Sequence, residues 1–190
     1  MLDGYRLGIT IAESCFRPDF IVGIWRGGSS VGIVVQECLQ YLGMETDHIS
    51  IRTSYRGMQS YPQLLDGRQR IRVHGLQYLY ENLGAENKLL IVDDVYSTGL
   101  NIKAVIDRLE SKTRRNMPKD VRIAVPWYKP EQNRTSRIPD YYLHETNTWL
   151  VLPYELTGLD ESEIQQYKPF MIPILDSIRQ HTRPSSDDDE

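Results

Sequence analysis

The chain has 190 residues, 40% of them hydrophobic, which favours one domain with a full core. A net charge of −4 argues against a broad cationic surface for nucleic acid or anionic membranes. No run approaches the roughly 18 consecutive apolar residues of a membrane span, and the start lacks a basic segment followed by an apolar core. We therefore expect a cytoplasmic protein that binds neither nucleic acid nor membrane.

The cysteines and the C-terminal residues add two expectations about organisation. Cys15 and Cys38 have neither metal-binding nor redox spacing, which favours reduced core residues over a disulfide framework. Residues 183–190 are acidic and offer nothing apolar to bury, so we expect a disordered tail. Residues 1–182 are predicted to form a single domain.

Helical and strand patterns alternate along the chain. Apolar residues three or four positions apart predict helices, and short apolar runs bounded by Gly, Pro or Asp predict buried strands. The predicted helices are 2–15, 29–42, 76–83, 102–109 and 161–179, and the predicted extended segments are 20–25, 48–53, 70–75, 88–92, 121–128, 141–143 and 149–152. Ser29 or Ser30 is expected to cap the second helix, and Gly43 to end it.

This alternation predicts an α/β fold with a mainly parallel central sheet that helices flank on both faces. Ligands of such sheets bind beyond the carboxyl ends of the strands. The loops after Trp25, Val92 and Tyr128 should therefore share one rim.

Two adjacent carboxylates end the most apolar strand, in the stretch LLIVDDVYSTGLN from Leu89 to Asn101. Burying Asp93 or Asp94 without a partner costs several kcal/mol or forces protonation, so both should face water, a cation or hydroxyl donors. The following turn, Ser97–Asn101, enters a helix, where free N–H groups form an anion site and Gly99 allows close approach. The pattern suits a sugar phosphate, although an Asp pair that only caps the next helix remains an alternative.

These residues resemble the phosphoribosyl pyrophosphate (PRPP) motif of the type I phosphoribosyltransferases. The resemblance implies that fold, with a small hood and a flexible active-site loop. It implies that Asp93 and Asp94 hold the ribose hydroxyls, and that the turn binds the 5′-phosphate through Ser97, Thr98, Gly99, Leu100 and Asn101.

Two further segments match the same family. Arg26, Gly27 and Gly28 stand where its members bind pyrophosphate, and the resemblance implies a cis peptide between Trp25 and Arg26. By themselves these residues would be read as an ordinary strand-to-helix turn. Ser54 and Tyr55 match the pair that opens the mobile loop in the purine branch, which makes the long polar stretch after them a candidate lid. A plain surface loop is the alternative.

The remaining matches concern the base. Lys129 occupies the position of a lysine that reaches the purine O6, and TWLVLPYE resembles a xanthine-guanine motif. By that match Trp149 stacks on the purine, the Leu150 carbonyl accepts a hydrogen bond from it, and Glu155 is a ligand of Mg²⁺ together with Asp93 and Asp94. Without the family, Trp149 would be read as core and Lys129 as a solvated lysine.

The resemblance implies transfer of phosphoribosyl from PRPP to a 6-oxopurine (hypoxanthine, guanine or xanthine), giving a nucleoside 5′-monophosphate and pyrophosphate, with Mg²⁺ as cofactor. Arg26, Asp93, Asp94 and Ser97 are the expected catalytic residues. Family members usually carry an Asp near purine N7 where this chain has Ser97, which cannot act as a carboxylate base.

Two other functions remain open at this point. One is a PRPP- or nucleotide-binding regulatory protein with little turnover, which Ser97 favours and the acidic charge disfavours. The other is an enzyme acting on a different acceptor, such as a pyrimidine, which would make Lys129 and Trp149 coincidental. A homodimer is implied by the resemblance alone.

Overall fold

The computed structural model describes residues 1–54 and 71–181 of the chain. The chain divides into two compact units, Met1–Asn147 and Thr148–Glu190. The expected lid after Ser54 and the expected acidic tail lie outside the described residues. The assignment of 1–182 to one domain stays a prediction.

The elements of the first unit alternate as the sequence predicts. Its helices are α1 (Leu2–Glu13), α2 (Gly27–Tyr41), α3 (Gln77–Asn82) and α4 (Leu100–Thr113). Its strands are β1 (Phe20–Trp25), β2 (Asp47–Ser54), β3 (Arg72–His74), β4 (Lys88–Val92), β5 (Val95–Tyr96), β6 (Asp120–Tyr128) and β7 (Tyr141–Glu145). The second unit contains α5 (Glu161–Tyr167) and α6 (Ile172–His181).

The described strands form one seven-stranded sheet in which β2, β1, β4, β6 and β7 follow one another in space. Every pair is parallel except β2 with β3, which is antiparallel. Val92 of β4 lies opposite Ala124, and Val95 of β5 lies opposite Trp127, so β5 continues β4 in the same register against β6. The expected mainly parallel α/β sheet is confirmed.

Each central strand contributes side chains to two separate cores. In β4, Leu89 and Ile91 join one core, while Leu90 and Val92 join the other. The first core includes apolar residues of α3 and α4, and the second includes those of α1 and α2. Burial of one such side chain stabilises the fold by about 1.5–3 kcal/mol. This two-sided burial is why the central strands are continuous apolar runs rather than alternating ones.

Some expectations about the first unit are wrong. Helix α2 begins at Gly27, with no side-chain cap, so neither Ser29 nor Ser30 caps it. Ser29 is instead buried in its first turn. Cys15 lies beyond the end of α1 and is exposed, contrary to the expectation of a core residue, whereas Cys38 is buried as expected.

The second unit also differs from expectation. Residues 149–152 are not a strand, and the predicted helix 161–179 is interrupted between α5 and α6. The interruption falls at Lys168 and Pro169, because proline has no N–H to continue the hydrogen bonds of α5. None of the helices in the described part of the chain is both long and apolar enough to cross a membrane.

Candidate functional site

The carboxyl ends of β1, β4 and β6 meet at one edge of the sheet, because these neighbouring strands are parallel. The segments that follow them begin at Arg26, Asp93 and Lys129. This arrangement confirms the predicted rim and brings candidate residues from three distant parts of the sequence to one edge of the first unit.

The first of these segments approaches the second at backbone distance. The peptide bond between Trp25 and Arg26 is cis, as the resemblance implies, and α2 starts at the next residue. A Cβ atom on Gly28 would lie 2.5 Å from the Val92 carbonyl oxygen and 2.8 Å from the Asp93 Cα. Only glycine fits there, so the start of α2 lies directly against the carboxylate pair.

The two carboxylates follow β4 and are held by backbone donors. The Asp94 N–H donates to Asp93 Oδ1 at 3.0 Å, and the Val95 N–H donates to Asp94 Oδ1 at 2.7 Å. The pKa of Asp93 is raised well above its ordinary value, first by burial and then by the neighbouring Asp94 charge. A cation or hydroxyl donors beside the pair would therefore favour its ionised form.

A left-handed glycine connects this segment to α4. Gly99 has φ of +73° and precedes Leu100, the first residue of the helix. The first N–H groups of a helix have no intrahelical acceptor and form an anion site. A Cβ on Gly99 would lie 2.4 Å from the Tyr96 hydroxyl, so the glycine also makes room for a buried tyrosine, a reason that the sequence does not reveal.

The loop after β6 is attached to the turn that contains Ser97. The Ser97 hydroxyl donates to Gln132 Oε1 at 2.5 Å, and the Arg134 N–H donates to the Thr98 carbonyl at 3.1 Å. The Lys129 N–H donates to the Tyr96 carbonyl at 2.9 Å. Sequence reasoning missed Gln132, because no pattern marks a glutamine that lies 35 residues from its partner.

Lys129 is buried in the first unit. The residue is only 4% exposed, and burial lowers the pKa of its ammonium group. The Lys129 amine is thus desolvated, which does not match the alternative reading of Lys129 as a solvated lysine. The position at the end of β6 places it on the same rim as Asp93.

The other expected base-binding residues belong to the second unit. Trp149 is 63% exposed, which rules out the alternative that it is a core residue. Leu150 is partly buried and lies outside any helix or strand. The Glu155 carboxylate accepts a hydrogen bond of 3.0 Å from the Leu152 N–H, so part of its function is to close a local turn.

Ser54 and Tyr55 fall at the boundary of the described part. Ser54 ends β2, and its hydroxyl lies 3.0 Å from His74 Nε2 on the neighbouring strand. Tyr55 lies outside the described residues, so its expected contact with PRPP stays a prediction.

No group of three or more His, Cys, Asp or Glu able to hold a metal ion is found in the ranges 1–54 and 71–181. Magnesium nevertheless commonly binds through one or two carboxylates plus substrate phosphates. Asp93 and Asp94 supply two adjacent carboxylates, and the raised pKa of Asp93 is what a nearby cation would reverse. These residues therefore fit a magnesium ion that is delivered with a phosphorylated substrate.

Comparison with known proteins identifies the family of the chain. Residues 5–157 match the family model described as "phosphoribosyl transferase domain". No curated protein sequence matches the chain significantly.

Solved structures share the fold. A purine phosphoribosyltransferase from Pyrococcus horikoshii is 24% identical, with a TM-score of 0.61 over 84% of this chain and 91% of that one. The Trypanosoma cruzi hypoxanthine phosphoribosyltransferase in complex with IMP is 15% identical, with a TM-score of 0.53 over 76% and 74% of the two chains. The Helicobacter pylori xanthine-guanine-hypoxanthine enzyme is 16% identical, with a TM-score of 0.53 over 78% and 82%.

The family match covers most of the chain, including β1, β4, β6 and the three segments that follow them. The mainly parallel sheet flanked by helices agrees with it. The chain belongs to the phosphoribosyltransferase family and has the type I fold.

Proposed function

We propose that the protein is a purine phosphoribosyltransferase of purine salvage, which transfers the 5-phosphoribosyl group of PRPP to hypoxanthine, guanine or xanthine. The products are the nucleoside 5′-monophosphate and pyrophosphate. The observation that carries the proposal is the contact of Gly28 with Asp93, since it joins the expected pyrophosphate loop to the expected ribose carboxylates.

The PRPP end of the proposed site uses residues of the first unit. Arg26 and the N–H groups of Gly27 and Gly28 would hold pyrophosphate at the start of α2. Asp93 and Asp94 would accept hydrogen bonds from the ribose hydroxyls. The turn of Ser97, Thr98, Gly99, Leu100 and Asn101 would bind the 5′-phosphate where α4 begins.

The base end of the site distinguishes oxopurines from adenine. Lys129 carries a cationic donor, and hypoxanthine, guanine and xanthine all present an acceptor oxygen at O6, where adenine presents an amino group. The burial of Lys129 supports this assignment, because a hydrogen bond in a low-dielectric site discriminates more strongly than one in water. From the sequence motif we assign stacking on the purine to Trp149 and a carbonyl acceptor to Leu150.

The reaction breaks the bond between C1 of the ribose and pyrophosphate and forms a bond from C1 to a purine nitrogen. Mg²⁺, when bound, would neutralise charge on the pyrophosphate. Asp93, Asp94 and, from the sequence motif, Glu155 are the residues proposed to hold it. Arg26 and the amides of Gly27 and Gly28 stabilise the charge that develops on the departing pyrophosphate. Asp93 and Asp94 orient the ribose so that C1 faces the base.

Ser97 occupies the position at which this reaction would use a general base. Its hydroxyl proton is committed to Gln132, so Ser97 Oγ can accept a hydrogen bond from the purine but cannot remove a proton near neutral pH. We therefore expect the purine to lose its proton to water or to enter as an anion.

The proposal is tested by incubating purified protein with PRPP, Mg²⁺ and each of guanine, xanthine, hypoxanthine, adenine and a pyrimidine base, and by measuring pyrophosphate release. Nucleotide formation from at least one 6-oxopurine and none from adenine is the expected result. A protein that uses only the pyrimidine, or that produces no nucleotide at all, contradicts it.

A second candidate is a PRPP- or nucleotide-binding regulatory protein on the same fold, which the absence of a carboxylate at Ser97 favours. Calorimetry and the pyrophosphate-release assay together separate the two functions. A regulatory protein would bind PRPP in the calorimeter but would release no pyrophosphate in that assay.

Two properties of the protein accompany the proposed enzyme. We expect a homodimer, from the family resemblance, and a cytoplasmic location, from the sequence. Sedimentation equilibrium at several protein concentrations and fractionation of cells test them.

A further inference from the structure

Lys168 of the second unit is a buried lysine for which the proposed reaction has no direct use. It is 3% exposed and occupies the break between α5 and the short 3-10 helix Pro169–Met171. Its backbone is fixed from both sides, since its N–H donates to the Ile164 carbonyl at 2.8 Å and its carbonyl accepts from the Met171 N–H at 2.9 Å.

The Lys168 ammonium is surrounded by backbone carbonyls of one short segment. Its Nζ donates to the Leu152 oxygen at 2.7 Å, to the Pro153 oxygen at 2.8 Å and to the Glu155 oxygen. An ammonium has three N–H donors and no acceptor, so three carbonyls match its full hydrogen-bonding capacity. This match is what allows a charged side chain to be buried at this position.

The segment that receives these bonds has little other regular structure. Residues 149–155 form neither helix nor strand. Two local hydrogen bonds of 3.0 Å join Leu152 and Glu155, one between their backbones and one from the Leu152 N–H to the Glu155 carboxylate. Within residues 152–155, the ammonium is thus the group that draws three carbonyl oxygens toward one point.

We infer that Lys168 is a positioning residue whose ammonium acts as a tethered cation and sets the backbone conformation of residues 152–155. Only Val151 separates these residues from Leu150, so the conformation that the ammonium sets also constrains where the Leu150 carbonyl can lie. That last step rests on the proposed function, in which Trp149 and Leu150 contact the purine. The Lys168 ammonium itself does not touch the substrate.

Removing the side chain would leave three carbonyls converging on an empty volume. Lys168→Ala deletes three carbons and the nitrogen, the same heavy atoms that n-propylammonium contains. Carbonyl oxygens left buried without a donor are costly, and a small cation that enters from solution would satisfy them. The stability and purine affinity of Lys168→Ala should therefore depend on an added alkylammonium ion, and those of the wild-type protein should not.

The test compares wild-type protein, Lys168→Ala and Lys168→Met in the presence of n-propylammonium or the neutral isostere 1-propanol. Melting temperature is measured, together with KM for the purine and KM for PRPP. We expect Lys168→Ala to melt at a lower temperature and to raise KM for the purine by about tenfold or more, with KM for PRPP changed much less. Propylammonium should reverse both effects, and 1-propanol should not.

Lys168→Met is the second variant, because methionine fills most of the volume without charge. It should show the raised KM for the purine but no recovery with propylammonium. If Lys168→Ala does not fold in buffer, its refolding yield with each additive replaces the melting temperature. Lys119→Ala is the matched control, since the Lys119 side chain is 75% exposed and its one described bond is the surface ion pair with Glu86.

Unchanged melting temperature and KM in Lys168→Ala would overturn the inference, as would equal recovery by 1-propanol. A loss of stability in Lys168→Ala that propylammonium does not restore would also overturn the inference, because a side chain that acts only through packing predicts that result. Should the wild-type protein form no nucleotide, the proposed function fails, while recovery of the melting temperature by the ammonium ion still decides the structural role of Lys168.

Discussion

The Ser97 hydroxyl donates a hydrogen bond of 2.5 Å to Gln132 Oε1, which joins the turn before α4 to the loop after β6. The bond pairs two neutral side chains at this point of the turn. It also commits the serine proton, so that toward any ligand Ser97 Oγ acts as an acceptor.

Ser97→Asp should therefore raise kcat. A positioned carboxylate base contributes typically about 10²- to 10⁴-fold, and we expect a gain of at least about tenfold, because this site has not been arranged around a carboxylate. The kcat of the variant should also fall at acidic pH as the new carboxylate is protonated. Steady-state kinetics across pH measure both effects.

Ser97→Ala is the control for the first prediction, since it removes the bond to Gln132 without adding a base. An unchanged kcat in Ser97→Asp would show that loss of the purine proton does not limit the rate.

Gly28→Ala should abolish most activity. The added Cβ would lie 2.5 Å from the Val92 carbonyl oxygen and 2.8 Å from the Asp93 Cα, so α2 or the carboxylate segment must shift. Misplacement by about 1 Å can cost roughly 100-fold in rate, and we expect a loss of at least that size. Initial rates at saturating substrates are the measurement.

Gly84→Ala is the matched control for Gly28→Ala. A Cβ there would meet only Asn87 Oδ1, at 3.4 Å, and Gly84 does not have a left-handed backbone. Near wild-type activity in both variants would mean that the contact between α2 and Asp93 does not matter for catalysis.

Lys129→Met should raise KM for the oxopurine by about 10- to 100-fold, because a hydrogen bond to a charged group is worth roughly 1.5–3 kcal/mol. KM for PRPP should change little. Because burial lowers the pKa of Lys129, the ammonium is lost at a lower pH than that of an ordinary lysine. Purine affinity should therefore begin to decline at a pH below the ordinary pKa of a lysine side chain.

Calorimetric titration of the purine at several pH values measures this decline, with Lys112→Ala on the exposed end of α4 as control. If Lys129→Met and wild-type protein show the same alkaline decline, another group is responsible for it.

Asp93→Asn should inactivate the enzyme and yet raise its melting temperature at neutral pH. The folded-state pKa of Asp93 is raised, so its contribution to stability is present below the unfolded pKa and is lost as pH rises through the folded pKa. The neutral amide avoids that loss. The difference in melting temperature should be largest at neutral pH and should shrink at acidic pH, where Asp93 is protonated in both states.

Thermal melts between acidic and neutral pH test the sign, with Asp107→Asn as control for an exposed aspartate that is paired with Lys103. A lower melting temperature for Asp93→Asn at neutral pH would mean that the carboxylate is stabilised by interactions stronger than its desolvation.

The central strands could be predicted because a strand that is buried on both faces consists of a long apolar run, as in β1 and β4. Arg26, Asp93 and Lys129 could be assigned to one rim because parallel strands end at the same edge. The start of α2 differs from the prediction of a serine cap, because the helix begins at Gly27 and Gly28 allows its first turn to approach Asp93 closely.

The partners of Ser97 and Lys168 could not be predicted. The contact of Ser97 with Gln132 depends on how the loop after β6 folds back, which no local periodicity encodes. The acceptors of Lys168 are backbone carbonyls, and every residue has one, so residue types carry no signal for such a site.

Asp93 and Asp94 interrupt what is otherwise one continuous strand, because β4 and β5 share a single register against β6. The interruption is therefore anchored to the sheet at both ends, unlike a free loop. The conformational entropy of ordering these two residues is lost when the protein folds, and a ligand that binds them does not have to supply it again. Amide hydrogen exchange at Asp94 and Val95 should accordingly be nearly as slow before ligand addition as after it.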